Sequence, residues 1–192
     1  MQSETLDPAA PASAPAAPAL RDPRELATGL QVAVVAESAL WTAVVATGGR
    51  TGPPAWAAPL VTALTLIALV LVACWLRRCR LNGEVLAPGT LRYGPGLAAG
   101  AWFIPLAMWW IPARIVLDVR RASGLDGRAW LLAGWWSTHL ARTALWLGMT
   151  FAGAAGADVT DAVTAPLGVV SGVLMILTVR EITAAQAKHL AG

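Results

Sequence analysis

The sequence predicts an all-α membrane protein: four transmembrane helices plus a Trp/Pro-rich helix that is interfacial or re-entrant. Three observations predict it. Hydrophobic residues make up 57% of the 192 positions and charged residues 13%, against about 45–50% and about 25% in soluble domains. Mean hydropathy is +0.61. Four stretches approach the roughly 20 apolar residues that a bilayer-spanning helix needs, at 26–47, 55–76, 129–151 and 163–179. Two cysteines exclude a disulfide scaffold. A net charge of +3 carried on scattered arginines is no nucleic-acid footprint.

Residues 1–25 are expected to be a disordered cytoplasmic tail, because Pro8, Pro11, Pro15 and Pro18 interrupt an Ala-rich run. A helical transmembrane domain follows over 26–182. Its first span, 26–47, carries Glu37 and ends at a turn of Gly48, Gly49, Gly52, Pro53 and Pro54. The second, 55–76, has no charge and stops at Arg77, Arg78 and Arg80. The third, 129–151, contains His139 and Arg142, and the fourth, 163–179, ends at Arg180 and Glu181. Residues 183–192 form a second cytoplasmic tail. Segment 97–119 is apolar but holds Pro105 and Pro112, each of which removes a helix hydrogen bond.

Cytoplasmic loops carry an excess of Lys and Arg. If segment 97–119 does not cross, Arg21, Arg24, Arg77, Arg78, Arg80, Arg92, Arg114, Arg120, Arg121, Arg128, Arg180 and Lys188 share one side and only Arg50 lies on the other. If it crosses, the bases divide about evenly. The four-span arrangement fits better. It places both termini on the cytoplasmic face of a bacterial inner membrane. Cys74 and Cys79 then sit at the cytoplasmic end of the second span as small packing residues.

In segment 97–119 the unit Trp-aromatic-Ile-Pro occurs twice, at Trp102–Pro105 and Trp109–Pro112. A spacing of seven is near two helical turns and puts both units on one face. Trp favours the membrane–water interface. Arg114 and Asp118 follow four apart, also on one face. This is expected to be an aromatic anchor plus a surface helix, a broken helix lining a site, or a kinked full span.

The Trp-Phe-Ile-Pro unit, the second Pro before Arg114, the Asp-Val-Arg-Arg-Ala-Ser stretch and the pair Trp135-Trp136 resemble a bacterial membrane family. That family is common in actinobacteria and known as domain of unknown function 4328. The resemblance covers about 30–185. In the family the middle reads Pro-Ile-Ala-Asn-Leu and the second proline precedes Tyr-Arg; here Met108 and Ala113 replace the Asn and Tyr. The resemblance implies an architecture and carries no activity.

Ionisable residues within spans are rare and usually face the protein interior. Glu37 and Arg142 lie at matching depths, and His139 is three residues from Arg142 on the same face. The expectation is a Glu37–Arg142 pair in the bundle core with His139 beside it, serving helix packing, a proton or ion relay, or a polar ligand. Gly168 and Gly172 form a GxxxG pair that permits close helix approach within the chain or in a homo-oligomer.

No phosphate loop, His-Glu-x-x-His, paired Cys-x-x-Cys or Gly-x-Ser-x-Gly elbow is present. Nothing argues for a cofactor or a metal. The expected role is a non-enzymatic accessory or interaction protein with a membrane-protein partner. The alternatives are a small transporter or channel using Glu37, His139 and Arg142, and a lipid or small-ligand binder at the proline-broken segment.

Overall fold

A computed structural model describes residues 19–48, 54–127, 129–151 and 157–191, and every regular element among them is helical. The order is α1 (Arg24–Gly48), α2 (Ala57–Leu86), α3 (Pro95–Gly100), two short 3-10 turns (Ala101–Phe103 and Ala107–Trp109), α4 (Ile111–Ala122), α5 (Ala129–Phe151) and α6 (Ala157–Ala191). Positions 1–18 of the expected tail, Arg50 and Arg128 lie outside the described residues.

Local chemistry explains the helix ends. The Asp22 carboxylate accepts the Arg24 N–H at 2.9 Å and starts α1. Pro54 gives its carbonyl to Ala57 N–H at 2.9 Å and opens α2. Gly124, at φ +75, ends α4: its N–H reaches the Arg121 carbonyl and that of Leu125 reaches the Arg120 carbonyl, both at 3.0 Å. Only glycine adopts that φ without strain.

α1 packs between α2 and α6, and α6 packs between α1 and α5. The four long helices therefore form an arc, α2–α1–α6–α5. One half of the space enclosed between α2 and α5 is filled by α3, the turns and α4. The dense core sits there, around Leu30, Trp75, Leu76, Ile115, Val116, Trp135, Val179 and Ile182.

Among the described residues three helices, not four, are long and apolar enough to cross a membrane: α1 over Arg24–Thr47, α2 over Ala57–Leu86 and α6 over Val163–Leu190. The expected third span is a helix of 23 residues with the predicted bounds. Ser137, Thr138, His139, Arg142 and Thr143, with Trp130, Trp135, Trp136 and Trp146, lower its hydropathy. The second span runs ten residues further than expected, because arginines end an apolar stretch without ending a helix. Residues 183–191 are not a separate tail either. They continue α6, with Gln186 fully buried.

Segment 97–119 is not one helix. Its entrance is fixed where the Tyr93 carbonyl accepts from Arg80 Nε. Its exit lies where Ala122 meets Gly83, one turn away on α2. The chain leaves one end of α2, turns at Pro105 and comes back to the same end. Pro112 stands in the first turn of α4, where its missing N–H costs nothing.

Candidate functional site

The other half of the arc is empty. A cavity of about 540 Å³ lies between α2 and α5, backed by α1 and α6. Val34, Glu37, Ser38 and Trp41 line it from α1, and Thr62, Thr65, Leu66, Ala68, Leu69 and Val72 from α2. Trp135, His139, Arg142, Thr143 and Trp146 come from α5; Thr164, Gly168, Ser171, Gly172 and Met175 come from α6. Leu66 from α2 and Trp146 from α5 are lining residues that are also exposed. Its size falls within the range of about 300–1,000 Å³ common to small-molecule sites.

The three ionisable residues expected within spans all line this cavity. Arg142 Nη2 stands 3.8 Å from Glu37 Oε1, beyond hydrogen-bond length. The same carboxylate oxygen accepts from Thr65 Oγ1 at 3.0 Å. Their side chains are 16% exposed for Glu37 and 35% for Arg142, so the pair is partly desolvated. The His139 ring lies 5.4 Å from Trp136, tilted by 36°.

The GxxxG pair divides its work. A Cβ on Gly172 would stand 3.1 Å from Ser38 Oγ and 3.2 Å from Val34 Cγ1, so this glycine lets α6 close on α1. At Gly168 the neighbour is the Arg142 guanidinium, 3.5 Å from the Cβ position. Both contacts are within one chain.

The floor is aromatic. The Trp102, Trp135 and Trp136 rings meet pairwise at 5.8–6.5 Å, two of the pairs edge to face. Trp136 Nε1 donates to the Trp109 carbonyl at 3.1 Å. Both Trp–Pro units thus converge on Trp136, but through a turn and not through a shared helical face. Their aromatics divide accordingly. Trp102 is buried and Trp109 half-buried, whereas Phe103 and Trp110 are exposed beside exposed Pro105. Asp118 is buried against Arg92 at 3.9 Å and not paired with Arg114, which is exposed. Arg114, Asp118 and Arg92 lie away from the cavity.

Sequence reasoning missed Trp41, Thr65, Ser38 and Ser171. Trp41 carried a signal, standing four residues after Glu37 on the same face of α1. The indole N–H groups of Trp41 and Trp102 are both buried with no acceptor in the protein.

A second polar cluster, also missed, ties the closed end of the arc. Asn82 clasps the backbone of Arg21, accepting its N–H at 2.9 Å and donating to its carbonyl at 2.7 Å. It also donates to Gln186 Oε1 at 2.8 Å. Gln186 Nε2 donates to the Cys79 carbonyl at 3.0 Å and to Ser123 Oγ at 3.1 Å. Arg120, 1% exposed, pairs with Glu181 at 3.3 Å. Trp75 Nε1 donates to Thr183 Oγ1 at 3.1 Å. No group of three or more potential metal ligands occurs among the described residues.

The family model described as Domain of unknown function (DUF4328) matches residues 54–184. The chain belongs to this family. The DUF4328 region runs from the start of α2 into the last part of α6, and so includes the Trp–Pro turn, the aromatic floor, His139, Arg142 and both α6 glycines. Glu37 and Trp41, on α1, lie before it. No curated protein and no solved structure matches the chain.

Proposed function

We propose that this DUF4328 protein is a non-enzymatic, membrane-embedded binding protein that holds an amphipathic molecule between α2 and α5. One observation carries the reading: the 540 Å³ cavity has mostly apolar walls yet gathers Glu37, His139 and Arg142. Apolar walls with a few convergent polar groups are the ordinary construction of a small-molecule site. Leu66 and Trp146 are exposed lining residues, as a cavity reached from the lipid would have.

The same proposal takes α5 as a fourth crossing beside the three described helices long and apolar enough to span. Arg21 and Gln186 both contact Asn82, so the segments flanking the bundle lie at one end. That arrangement needs an even number of passes, and α5 supplies the fourth. In a low-dielectric surrounding the Glu37–Arg142 pairing offsets the cost of carrying Arg142 through the bilayer. The Trp–Pro segment is then re-entrant, and the arginine-rich end faces the cytoplasm of a bacterial cell. The partners are the bilayer and the bound molecule.

Native mass spectrometry of the full chain in mild detergent tests the reading. A retained apolar molecule is expected in the wild type and not in Ala68→Phe, which fills the cavity. Wild-type protein that carries none, and takes up none when lipid extract is added back, would overturn it.

A further inference from the structure

Resting on the binding reading above, we infer that the ligand is an apolar-tailed molecule whose small head presents hydrogen-bond acceptors: a carboxylate or a quinone-type carbonyl. Three observations point to this class.

The first is an excess of donors. Arg142 offers its guanidinium to the cavity with Glu37 beyond hydrogen-bond distance. Trp41 and Trp102, both cavity-lining, hold indole N–H groups that no protein atom accepts. An unpaired buried donor costs about 1–3 kcal/mol; both N–H groups lie just under the cavity wall, so an arriving acceptor would meet them after a small rotation of the ring. Glu37, the one carboxylate among the described lining residues, already accepts from Thr65.

The second is depth. Glu37 is the fourteenth residue of α1. At about 1.5 Å per residue it lies roughly 20 Å from one end of the helix and about 16 Å from the other. A phosphodiester headgroup resides at the bilayer surface, whereas the head that meets Glu37 and Arg142 sits near mid-bilayer. It must be small, and its loss of hydration must be offset by donors such as the Arg142 guanidinium.

The third is the wall. Trp41, Trp102, Trp135 and Trp146 surround the polar cluster and offer flat aromatic faces. Leu66, Leu69 and Val72 continue along α2 as a surface for the tail.

The test uses full-length protein in liposomes with three diazirine-tailed photoprobes of equal chain length, bearing a carboxylic acid, a benzoquinone or a primary amine. Cross-links are mapped by peptide mass spectrometry and competed with the non-photoactive analogues. The acid or the quinone is expected to label α2 and α5 peptides lining the cavity. It should be displaced at a concentration about tenfold lower than the amine requires, as one charge-assisted hydrogen bond would give. Labelling by the acid alone assigns a carboxylate, by the quinone alone a neutral carbonyl; either result, or both, supports the proposal. An amine that labels the cavity as well or better overturns the acceptor class while leaving the binding site standing. No cavity labelling by any probe removes both readings.

Trp102→Phe and Trp41→Phe, which keep an aromatic ring but remove the indole N–H together with the pyrrole carbons, are expected to weaken the preferred probe about threefold or more beyond any change in the amine, which senses the lost volume alone. Unchanged competition in both overturns the donors' role. The wild-type ranking decides the ligand class even if these variants fail to fold.

Discussion

The guanidinium of Arg142 rests against Gly168, with Cζ, Nε and Nη1 each 3.5 Å from where a Cβ would stand. Four residues on, the Cβ position of Gly172 is 3.1 Å from Ser38 Oγ. The two glycines therefore differ in what they tolerate. Gly168→Ala meets ordinary contact distance and gains helix propensity, so the thermal midpoint should hold or rise. Gly172→Ala presses on the Ser38 hydroxyl and a Val34 methyl, each of which must give by a few tenths of an ångström, at an expected cost of about 1–3 kcal/mol. Tryptophan-fluorescence melts in detergent measure both. Equal midpoints would refute the distinction.

Glu37 and Arg142 should show coupling. Arg142→Gln leaves the carboxylate with Thr65 alone, and Glu37→Gln leaves Arg142 without its counter-charge. Each single change is expected to lower stability by about 1–3 kcal/mol, and the double neutral variant by less than the sum. A double-mutant cycle read by the same melts gives the coupling. Strict additivity would mean that the 3.8 Å approach contributes nothing.

Gln186 is fully buried and makes three side-chain hydrogen bonds to α2 and to Ser123. Gln186→Met preserves volume and removes all three. A loss of about 2–4 kcal/mol is expected. Proteolysis near Arg21 should quicken as well, because Asn82, which clasps that backbone, loses its third partner. A variant as stable and as protease-resistant as wild type would contradict this account.

Arg120 has Nε and Nη1 buried without a partner, and Glu181 is its counter-ion. Removing the acid strands the fully buried Arg120 charge, at about 3–5 kcal/mol, whereas replacing the arginine leaves Glu181, whose side chain is 18% exposed and can be hydrated, at a smaller cost. Glu181→Ala should therefore destabilise more than Arg120→Met. The reverse order in a melt would show that the charge itself holds α4 in place.

Much of the architecture was legible in the sequence, since composition and apolar run length fix the helical class and the limits of α1 and α5. Hydropathy misplaced the other ends. It registers where apolar side chains stop, and α2 continues through Arg77, Arg78 and Arg80 as ordinary helix. α5 has lower hydropathy because several of its polar residues and tryptophans line the cavity, among them Trp135, His139, Arg142 and Thr143. Glu37, His139 and Arg142 stood out because charge in an apolar run is conspicuous. Asn82, Ser123 and Gln186 did not, because polar residues near helix ends resemble any solvated surface. The cavity was invisible for a different reason. It exists only because the Trp–Pro segment fills half of the gap between α2 and α5, and no local pattern encodes a gap.

Asn82 and Gln186 are 104 residues apart in the chain. When α2 emerges from the ribosome, Asn82 has Arg21 to bond and nothing else, and Trp75 has no hydroxyl to meet. Both wait until α6 has been made. The end of the bundle that anchors α1, α2 and α4 is thus locked only once α6, which follows all of them in chain order, has been made. A nascent chain remains open on that side through most of its insertion, and α6 acts as the bolt that ends it.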